Sequence, residues 1–322
     1  MSSHNVSSIN SMKYHLDESC VLGLQITLLA FHVINSLLHG FGTYILTKIV
    51  KQRNAKPQHI FLLGLSTSEC VMNVLEGVRV TPGIVHHNSV ADDVTTFTKY
   101  LQMITFSGTW LVVYLMMVYI TIDRLLLIAM RVQYHKIMSR RRAMFLLVST
   151  WVAGGIFALA TILSHQFLQF DWEDAYFKYF YSIVDFLFII LALITYQYIF
   201  AELKLSHKRV TIDTRPTDTK DHDHLHVDEM RRLTNSATNL PRLTLSRFYP
   251  SILLVLTFVI FLIVPDLTYL FYGIVAQKKS DALFFACSLS YAVANFTDVI
   301  IYLYMQPRVR KEVDKLRQKC SL

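Results

Sequence analysis

Apolar residues occur along this chain in seven long runs, separated by shorter polar stretches. No charged residue occurs between Glu18 and Lys48 or between Arg142 and Asp171, so the first and fourth runs are the clearest. A helix rises about 1.5 Å per residue, so each run is long enough to cross the roughly 30 Å hydrocarbon core of a bilayer. The pattern predicts an all-α membrane protein, a seven-transmembrane helix bundle. We place the spans near residues 21–47, 58–81, 97–127, 143–165, 175–203, 248–275 and 281–305.

The third run ends in a charged pair. From Tyr100 to Ile122 no residue is charged, and Asp123-Arg124 follows where the helix should leave the lipid. A basic patch then begins, with Arg131, Lys136 and three consecutive arginines from Arg140. The second run is the most interrupted, because it contains Glu69, Glu76 and Arg79.

Loop charges predict the orientation of the bundle. Basic residues follow the first, third, fifth and seventh runs, whereas acidic residues lie in the loops at the opposite face. Cytoplasmic loops of membrane proteins carry the excess of Lys and Arg. We therefore expect residues 1–20 outside the cell, and we expect the polar loop 204–247 and the tail 306–322 to be cytoplasmic. Asn5-Val6-Ser7 agrees with this orientation, because the triplet is an acceptor sequence for glycosylation at Asn5.

Composition supports a membrane protein and offers little for metals or nucleic acid. The chain has 322 residues, of which 53% are hydrophobic and only 17% are charged, against about 25% charged in average proteins. The net charge of +8 is explained by cytoplasmic loops beside membrane lipids, so no nucleic-acid partner is expected. The tract Asp221–His226 could ligate zinc, but a solvated flexible segment is favoured because no distant partner ligands are apparent. No metal site is predicted.

Cysteines and the C-terminal tail offer two further sites. Cys20 and Cys287 both fall near the outer face and could form a disulfide. Beyond the last run, Val309, Val313, Leu316 and Cys320 lie on one face of a helix, with basic residues over much of the remainder. This pattern predicts a short amphipathic helix on the inner leaflet. Cys320 is then either a palmitoylation site or an ordinary free cysteine.

Seven spans in this orientation, the Asp-Arg pair and the amphipathic tail together resemble the rhodopsin-like (class A) G-protein-coupled receptors. The resemblance covers roughly residues 21–320. It rests on matching positions in successive spans: Asn35, Leu65–Glu69, Asp123-Arg124-Leu125, Trp151, Tyr196, Pro265, Asp298–Tyr302 and Gln306–Glu312.

The chain also departs from the family pattern. Lys99 stands near the place where the third span usually begins with a cysteine, and residues 163–176 contain none, so the common extracellular disulfide is absent. No tryptophan precedes Pro265, and Phe188 stands near the usual proline of the fifth span. The resemblance therefore implies a divergent member with an atypical or constitutive activation.

The resemblance implies a signalling role for the inner ends of the spans. Arg124 would pair with Asp123 at rest and turn towards a partner protein when the bundle opens. A border arginine with an incidental acidic neighbour is the alternative for this pair. The residues implied in coupling and activation are Asp123, Arg124, Tyr196, Asp298 and Tyr302.

Two carboxyl groups deeper in the membrane need a proton, a partner or an ion, because an unpaired carboxylate there is costly. Glu69 and Asp298 are these groups, and Asn35 and Asn295 could add hydrogen bonds. In the resemblance this is where a sodium ion binds. Two neighbouring acids that share a proton are the alternative, and the residues leave both open.

A ligand cavity between the outer halves of the spans is the remaining predicted site. Its candidates are Glu76, Arg79, Phe106, Trp110, Asp185, Asp266 and Tyr269, with Tyr272 nearby, although Glu76 and Arg79 may simply pair with each other. Phe106 takes the place where amine receptors carry Asp, so a standard biogenic-amine site is not expected. The last span has no lysine, which excludes a retinal Schiff base.

These observations favour a plasma-membrane receptor that passes a signal from an extracellular ligand, or a constitutive signal, to a heterotrimeric G protein. The alternative is a transporter or ion-translocating protein that uses Glu69 and Asp298 as a relay. No internal repeat or paired broken helices support a transporter. No metalloprotease, hydrolase or nucleotide-binding signature supports an enzyme, and no cofactor beyond the sodium ion is expected.

Overall fold

Each of the seven apolar runs forms a long helix, and an eighth helix follows near the C-terminus. A computed structural model of the chain describes residues 18–52, 55–85, 92–130, 133–168, 180, 182–213, 248–276 and 281–320, and these residues contain no strand. The predicted fold class, an all-α bundle of seven membrane-spanning helices, is confirmed. The helices are α1 (Glu18–Lys51), α2 (Pro57–Val85), α3 (Asp92–Met103, Ile104–Thr109 and Trp110–Ala129), α4 (Arg140–Leu168), α5 (Ser182–Asp213), α6 (Tyr249–Phe258, Val259–Ile263 and Val264–Ala276), α7 (Asp281–Ile300 and Ile301–Met305) and α8 (Pro307–Cys320).

The C-terminal end of α5 differs most from the prediction. The span expected at 175–203 is observed as Ser182–Asp213, so residues 204–213 extend the helix into the segment predicted as a loop. Apolar runs report where a helix crosses lipid, whereas good helix formers such as Glu202 and Lys204 allow it to continue into water. The remaining residues of that loop, including the tract Asp221–His226, lie outside the described residues.

Helices α3, α6 and α7 each contain one π-helical stretch. In α6 the stretch Val259–Ile263 lies directly before Pro265. A proline ring collides with the carbonyl four residues earlier in a regular helix, so the wider turn gives it room. In α7 the stretch Ile301–Met305 contains Tyr302, one of the residues implied in activation.

The third helix lies at the centre of the bundle. It contacts α2, α4, α5 and α6, whereas α1 packs mainly against α2 and α7. Large apolar side chains on α4 and α5, including Phe145, Ile156, Phe186 and Leu193, remain exposed. Exposed apolar surface of this extent suits helices that face lipid rather than water.

A close crossing of α3 and α4 depends on two glycines. A Cβ atom on Gly154 would lie 2.9 Å from the carbonyl oxygen of Gly108, and one on Gly108 would lie 3.2 Å from the carbonyl oxygen of Gly154. Small residues allow membrane helices to approach each other in this way. We call this contact the glycine crossing.

Hydroxyl side chains inside the spans bond to their own helices. Thr109, Thr121 and Thr257 each donate to the carbonyl four residues earlier, at 2.6, 2.8 and 2.8 Å respectively. Such bonds satisfy a hydroxyl where no water is available. Polar residues of this kind therefore need no functional explanation.

The end of the bundle where α3 reaches Asp123-Arg124 is tied together by loop contacts, and we call it the inner end. Arg140, at the start of α4, donates to the carbonyl oxygens of Val50 at 2.8 Å and Gln52 at 3.3 Å. Basic side chains stabilise the carbonyl end of a helix in this way. Gln58 of α2 donates to Gln306, just before α8, at 2.7 Å.

The amphipathic helix α8 is present, as predicted, but its apolar face packs on protein. Val309 is fully buried, and Val313 and Leu316 pack against the bundle core. The backbone of α8 reaches Cys320, whose side chain lies outside the described residues, so palmitoylation remains a prediction. Asn5 and its glycosylation also lie outside the described residues.

Candidate functional site

Asp123 and Arg124 lie at the last turns of α3, and both are buried. Arg124 Nη2 is 3.8 Å from Asp123 Oδ2, a long ion pair. Asp123 Oδ1 accepts a shorter hydrogen bond of 2.5 Å from the hydroxyl of Tyr134. Tyr134 belongs to a single helical turn, Tyr134–Ile137, between α3 and α4. Asp123 is therefore held by this loop more firmly than by its neighbour.

Tyr134 is suited to hold Asp123 as a permanent donor. Burial, together with the nearby Asp123 carboxylate, raises the pKa of the Tyr134 phenol well above its usual value. The phenol therefore keeps its proton throughout the physiological pH range. Sequence reasoning missed this residue, because Tyr134 is an isolated aromatic in a polar loop.

Arg124 is incompletely satisfied. Its Nε is buried and has no hydrogen-bond partner within the described part of the chain. The guanidinium borders a narrow space at the inner end, whose other lining residues include Gln58, Ser251 and Gln306. A buried charged donor without a partner is costly. This arginine therefore retains donor capacity for groups that the bundle does not supply.

The two tyrosines predicted to work with Arg124 are bonded elsewhere. Tyr196 of α5 donates to the carbonyl oxygen of Ser251 in α6 at 3.1 Å. The hydroxyl of Tyr302 lies 2.8 Å from Ser66 Oγ and 3.2 Å from His39 Nδ1. Both tyrosines thus link neighbouring helices in this conformation.

Glu69 and Asp298, the two intramembrane acids identified in the sequence, lie side by side. Their side chains hydrogen-bond to each other between α2 and α7, and both residues are buried. Glu69 Oε2 and Asp298 Oδ1 take part in no hydrogen bond among the described residues, although Glu69 Oε2 lies within ion-pair distance of His39. The two predicted asparagines lie beside α7: Asn35 donates to the carbonyl oxygen of Ala292 at 2.9 Å, and Asn295 accepts through its backbone.

His39 is the main residue of this cluster that sequence reasoning missed. Its ring lies fully buried between Glu69 Oε2, 3.1 Å from Nδ1, and the carbonyl oxygen of Asn295, 3.0 Å from Nε2. A signal was available, because His32, Asn35 and His39 recur at helical spacing on one face of an otherwise apolar span. We call His39, Glu69, Asp298 and Tyr302 the polar junction.

The outer half of the bundle contains most of the predicted ligand residues, but many of them already bond to or stack on other side chains of the bundle. Glu76 accepts from Arg79 Nε at 2.8 Å within α2. Trp110 stacks on Phe106 and on Tyr291, with ring centroids 5.8 and 4.9 Å apart.

Two acids of the predicted ligand set lie on α5 and α6. Asp185 is buried and accepts a hydrogen bond from Tyr114. Asp266 is close enough to Asp185 to experience its charge. The rings of Tyr269 and Phe284 are in contact, with centroids 6.2 Å apart, whereas Tyr272 is 43% exposed. The ligand set therefore stays a prediction.

The disulfide suggested between Cys20 and Cys287 is not formed. Both residues are free thiols. Cys287 donates to the carbonyl oxygen of Pro265 across the α6–α7 contact at 3.4 Å, whereas Cys20 is exposed at the start of α1. Proximity to the same face was not sufficient for a bond. No cluster of metal-ligating side chains occurs in the described ranges.

A bundle of seven apolar helices, with a buried Asp-Arg pair at one end, defines the class of the protein: a multi-pass membrane protein. The chain matches the family model of the 7 transmembrane receptor (rhodopsin family) over residues 42–305. It therefore belongs to the rhodopsin family of seven-transmembrane receptors, whose members are receptors rather than enzymes. A search among curated proteins gave no match. Asn35 lies outside the matched range, so its assignment to a family position gains no support.

Proposed function

We propose that this receptor activates a heterotrimeric G protein through its inner end. The observation that carries the proposal is the buried Arg124, whose long ion pair and unpartnered Nε leave its planar donor head available. A guanidinium presents five donors in a fixed plane, which suits it to the backbone carbonyls of a docking segment.

Opening of the inner end would require the helix links described above to break. Tyr196 would leave Ser251, and Tyr302 would leave Ser66 and His39, each at the cost of about one hydrogen bond. Movement of α6 away from α3 would then widen the space beside Arg124. The freed tyrosine hydroxyls could bond to the arginine in its new position.

The proposal also covers the orientation of the receptor in the membrane and the place where its ligand binds. Basic side chains concentrate at the inner end, so we place that end in the cytoplasm, the N-terminus outside and the protein in the plasma membrane. An extracellular ligand would bind near the partly accessible Asp266 and the aromatic side chains of α3 and α7. It would act by favouring the open conformation, unless the receptor is constitutively active.

Guanine nucleotide exchange tests the proposal. Receptor reconstituted in lipid is mixed with a panel of G proteins, and uptake of a labelled GTP analogue is measured without ligand and with a ligand library. The wild type is expected to accelerate uptake by at least one G protein, and Arg124→Ala is expected to abolish the acceleration.

The matched control is Arg317→Ala, which removes an exposed positive charge of α8 and should leave exchange almost unchanged. Equal exchange by wild type and Arg124→Ala would contradict the role of the arginine. Ion flux in liposomes without any G protein, reduced by Glu69→Gln, would instead favour the transporter alternative.

A further inference from the structure

A groove with a volume of about 550 Å³ lies between α1, α2 and α4, and we call it the α1–α4 groove. It opens towards the lipid, because Val148 of α4, one of its lining residues, is exposed. Two of its threonines are satisfied within the protein: Thr67 donates to the carbonyl oxygen of Leu63 at 2.8 Å, and Thr43 lies 3.1 Å from Ser66 Oγ. The wall of the groove is therefore mainly apolar, which suits a hydrocarbon chain.

The α1–α4 groove lies in the half of the bundle that contains the inner end. The span of α1 ends at Lys51, and the span of α4 begins at Arg140. At about 1.5 Å per helical residue, the groove starts at Thr47, about 6 Å from the end of α1, and extends to Val152, about 18 Å from the start of α4. Half of a hydrocarbon core is roughly 15 Å thick. The groove therefore lies at the depth of the acyl chains of one leaflet.

Two exposed basic side chains, Lys51 and Arg141, lie at the inner border of the groove. Lys51 follows Thr47 by four residues, and Arg141 precedes Val148 by seven residues. Residues at these spacings share one face of a helix. Both basic residues therefore lie on the faces of α1 and α4 that line the groove.

Contacts of Arg140 bring these two charges close together. Its guanidinium donates to the carbonyl oxygens of Val50 and Gln52, on either side of Lys51, and Arg141 is the next residue of α4. Neither Lys51 nor Arg141 belongs to an ion pair found among the described residues. The border of the groove therefore carries two neighbouring positive charges for which the described part of the chain supplies no acidic partner.

We propose that this site binds a phospholipid with an anionic headgroup from the cytoplasmic leaflet. One acyl chain would lie in the α1–α4 groove, and the phosphate region would lie between Lys51 and Arg141. Anionic lipids concentrate in the cytoplasmic leaflet and attract basic residues at its surface. A neutral sterol would fill the groove but would leave both charges without a counter-ion. The choice of leaflet rests on the proposed orientation, whereas the site does not depend on coupling to a G protein.

Quenching of tryptophan fluorescence by brominated lipids tests the site. Trp151 lines the groove, and Trp110→Phe/Trp172→Phe would leave it as the only tryptophan of the chain. Receptor is reconstituted in phosphatidylcholine with a small fraction of chain-brominated lipid, either phosphatidylserine or phosphatidylcholine. Brominated phosphatidylserine is expected to quench Trp151 more strongly, with a relative affinity about thirtyfold higher, because each basic residue at the surface contributes about fivefold.

Two pairs of substitutions test whether the charges act at this place. Lys51→Ala/Arg141→Ala should abolish the preference for phosphatidylserine. Lys311→Ala/Arg317→Ala is the matched control, because it removes the same charge from exposed positions of α8, and it should retain the preference. Loss of the preference in both double variants would overturn the proposal in favour of a general attraction between the basic surface and the membrane.

Filling the groove and measuring stability give two further readouts. Val148→Phe should narrow the groove and reduce quenching by both brominated lipids, whereas Val33→Phe, at another exposed position on α1, should not. In receptor that keeps its three tryptophans, phosphatidylserine added to phosphatidylcholine bilayers should raise the unfolding temperature, and Lys51→Ala/Arg141→Ala should remove this rise. Equal quenching by the two brominated lipids, with no change in unfolding temperature, would contradict the proposal and indicate an unselective boundary lipid or a sterol.

Discussion

Two contacts between helices in this receptor differ in the groups that form them. At the glycine crossing, α3 and α4 approach each other over Gly108 and Gly154, and no charged group takes part. At the polar junction, α1, α2 and α7 meet over an imidazole, two carboxyl groups and a tyrosine. Apolar packing is sufficient to hold membrane helices together. Buried ionisable groups are therefore not required for cohesion, and their presence makes the junction a candidate functional site.

The largest expected effect lies at the glycine crossing. In Gly154→Leu the new side chain would meet the buried Val112 side chain and the Gly108 backbone, and the backbone cannot yield unless a helix moves. We expect a loss of about 3 kcal/mol in stability, measured as thermal unfolding in detergent. Gly155→Leu is the matched control, because a Cβ there meets nothing within 4 Å. Equal losses in both variants would show that the crossing is not close-packed.

A smaller loss is expected from His39→Leu at the polar junction. The change removes the bonds to Asn295 and Tyr302 and leaves Glu69 with one partner fewer, which should cost about 1–2 kcal/mol. Thr27→Val, at an exposed hydroxyl of the same helix, is the comparison. If His39→Leu were as stable as Thr27→Val, the polar contacts of the junction would contribute nothing to stability beyond packing.

Tyr302→Phe should lower stability by only about 1 kcal/mol, because one shared hydroxyl contact to Ser66 and His39 is lost. Its effect on signalling should be larger, since the ring is no longer secured and the hydroxyl cannot bond to Arg124 in the open state. In this variant we expect a small fall in the unfolding temperature and a relatively larger change in nucleotide exchange. Changes of equal relative size in both would argue against a switching role.

The smallest effect is expected at an ion pair of α8 whose lysine is exposed to solvent. Glu312 of α8 accepts from Lys315 Nζ at 2.8 Å, and this bond lowers the pKa of the Glu312 carboxyl. A lowered pKa adds stability above the carboxyl's ordinary range, and that stability disappears as the pH falls through the native value. Glu312→Gln should therefore cost less than about 0.5 kcal/mol at pH 7 and nothing in acid.

The sequence alone predicts the seven spans and the two acids of the polar junction, but it does not predict the glycine crossing. Apolar runs locate all seven spans, and Glu69 and Asp298 are visible as acids inside them. His39 was overlooked although His32 and Asn35 share its helix face, because polar residues in an apolar run are compatible with many environments and only the fold shows which groups surround them. The extension of α5 to Asp213 was missed because hydropathy marks the lipid boundary rather than the end of the helix.

The remaining differences between prediction and structure also depend on which distant segments lie close together in the fold. Cys20 and Cys287 could be assigned to the same face but not to a bonded pair. Tyr134 could be recognised as a loop aromatic, yet its hydrogen bond to Asp123 depends on how the turn folds back beneath α3. These features arise from contacts between distant segments, which periodicity and charge do not encode.

The central claim is that the inner end opens around Arg124 to admit a G protein, and a distance measurement tests it most directly. Spin labels at the exposed positions Arg141 of α4 and Tyr249 of α6 would be introduced through cysteines after replacement of Cys20 and Cys320. Addition of nucleotide-free G protein should lengthen the distance between the labels, GTP should restore it, and Arg124→Ala should prevent the change. A distance that stays constant with every G protein that accelerates nucleotide uptake would contradict the account.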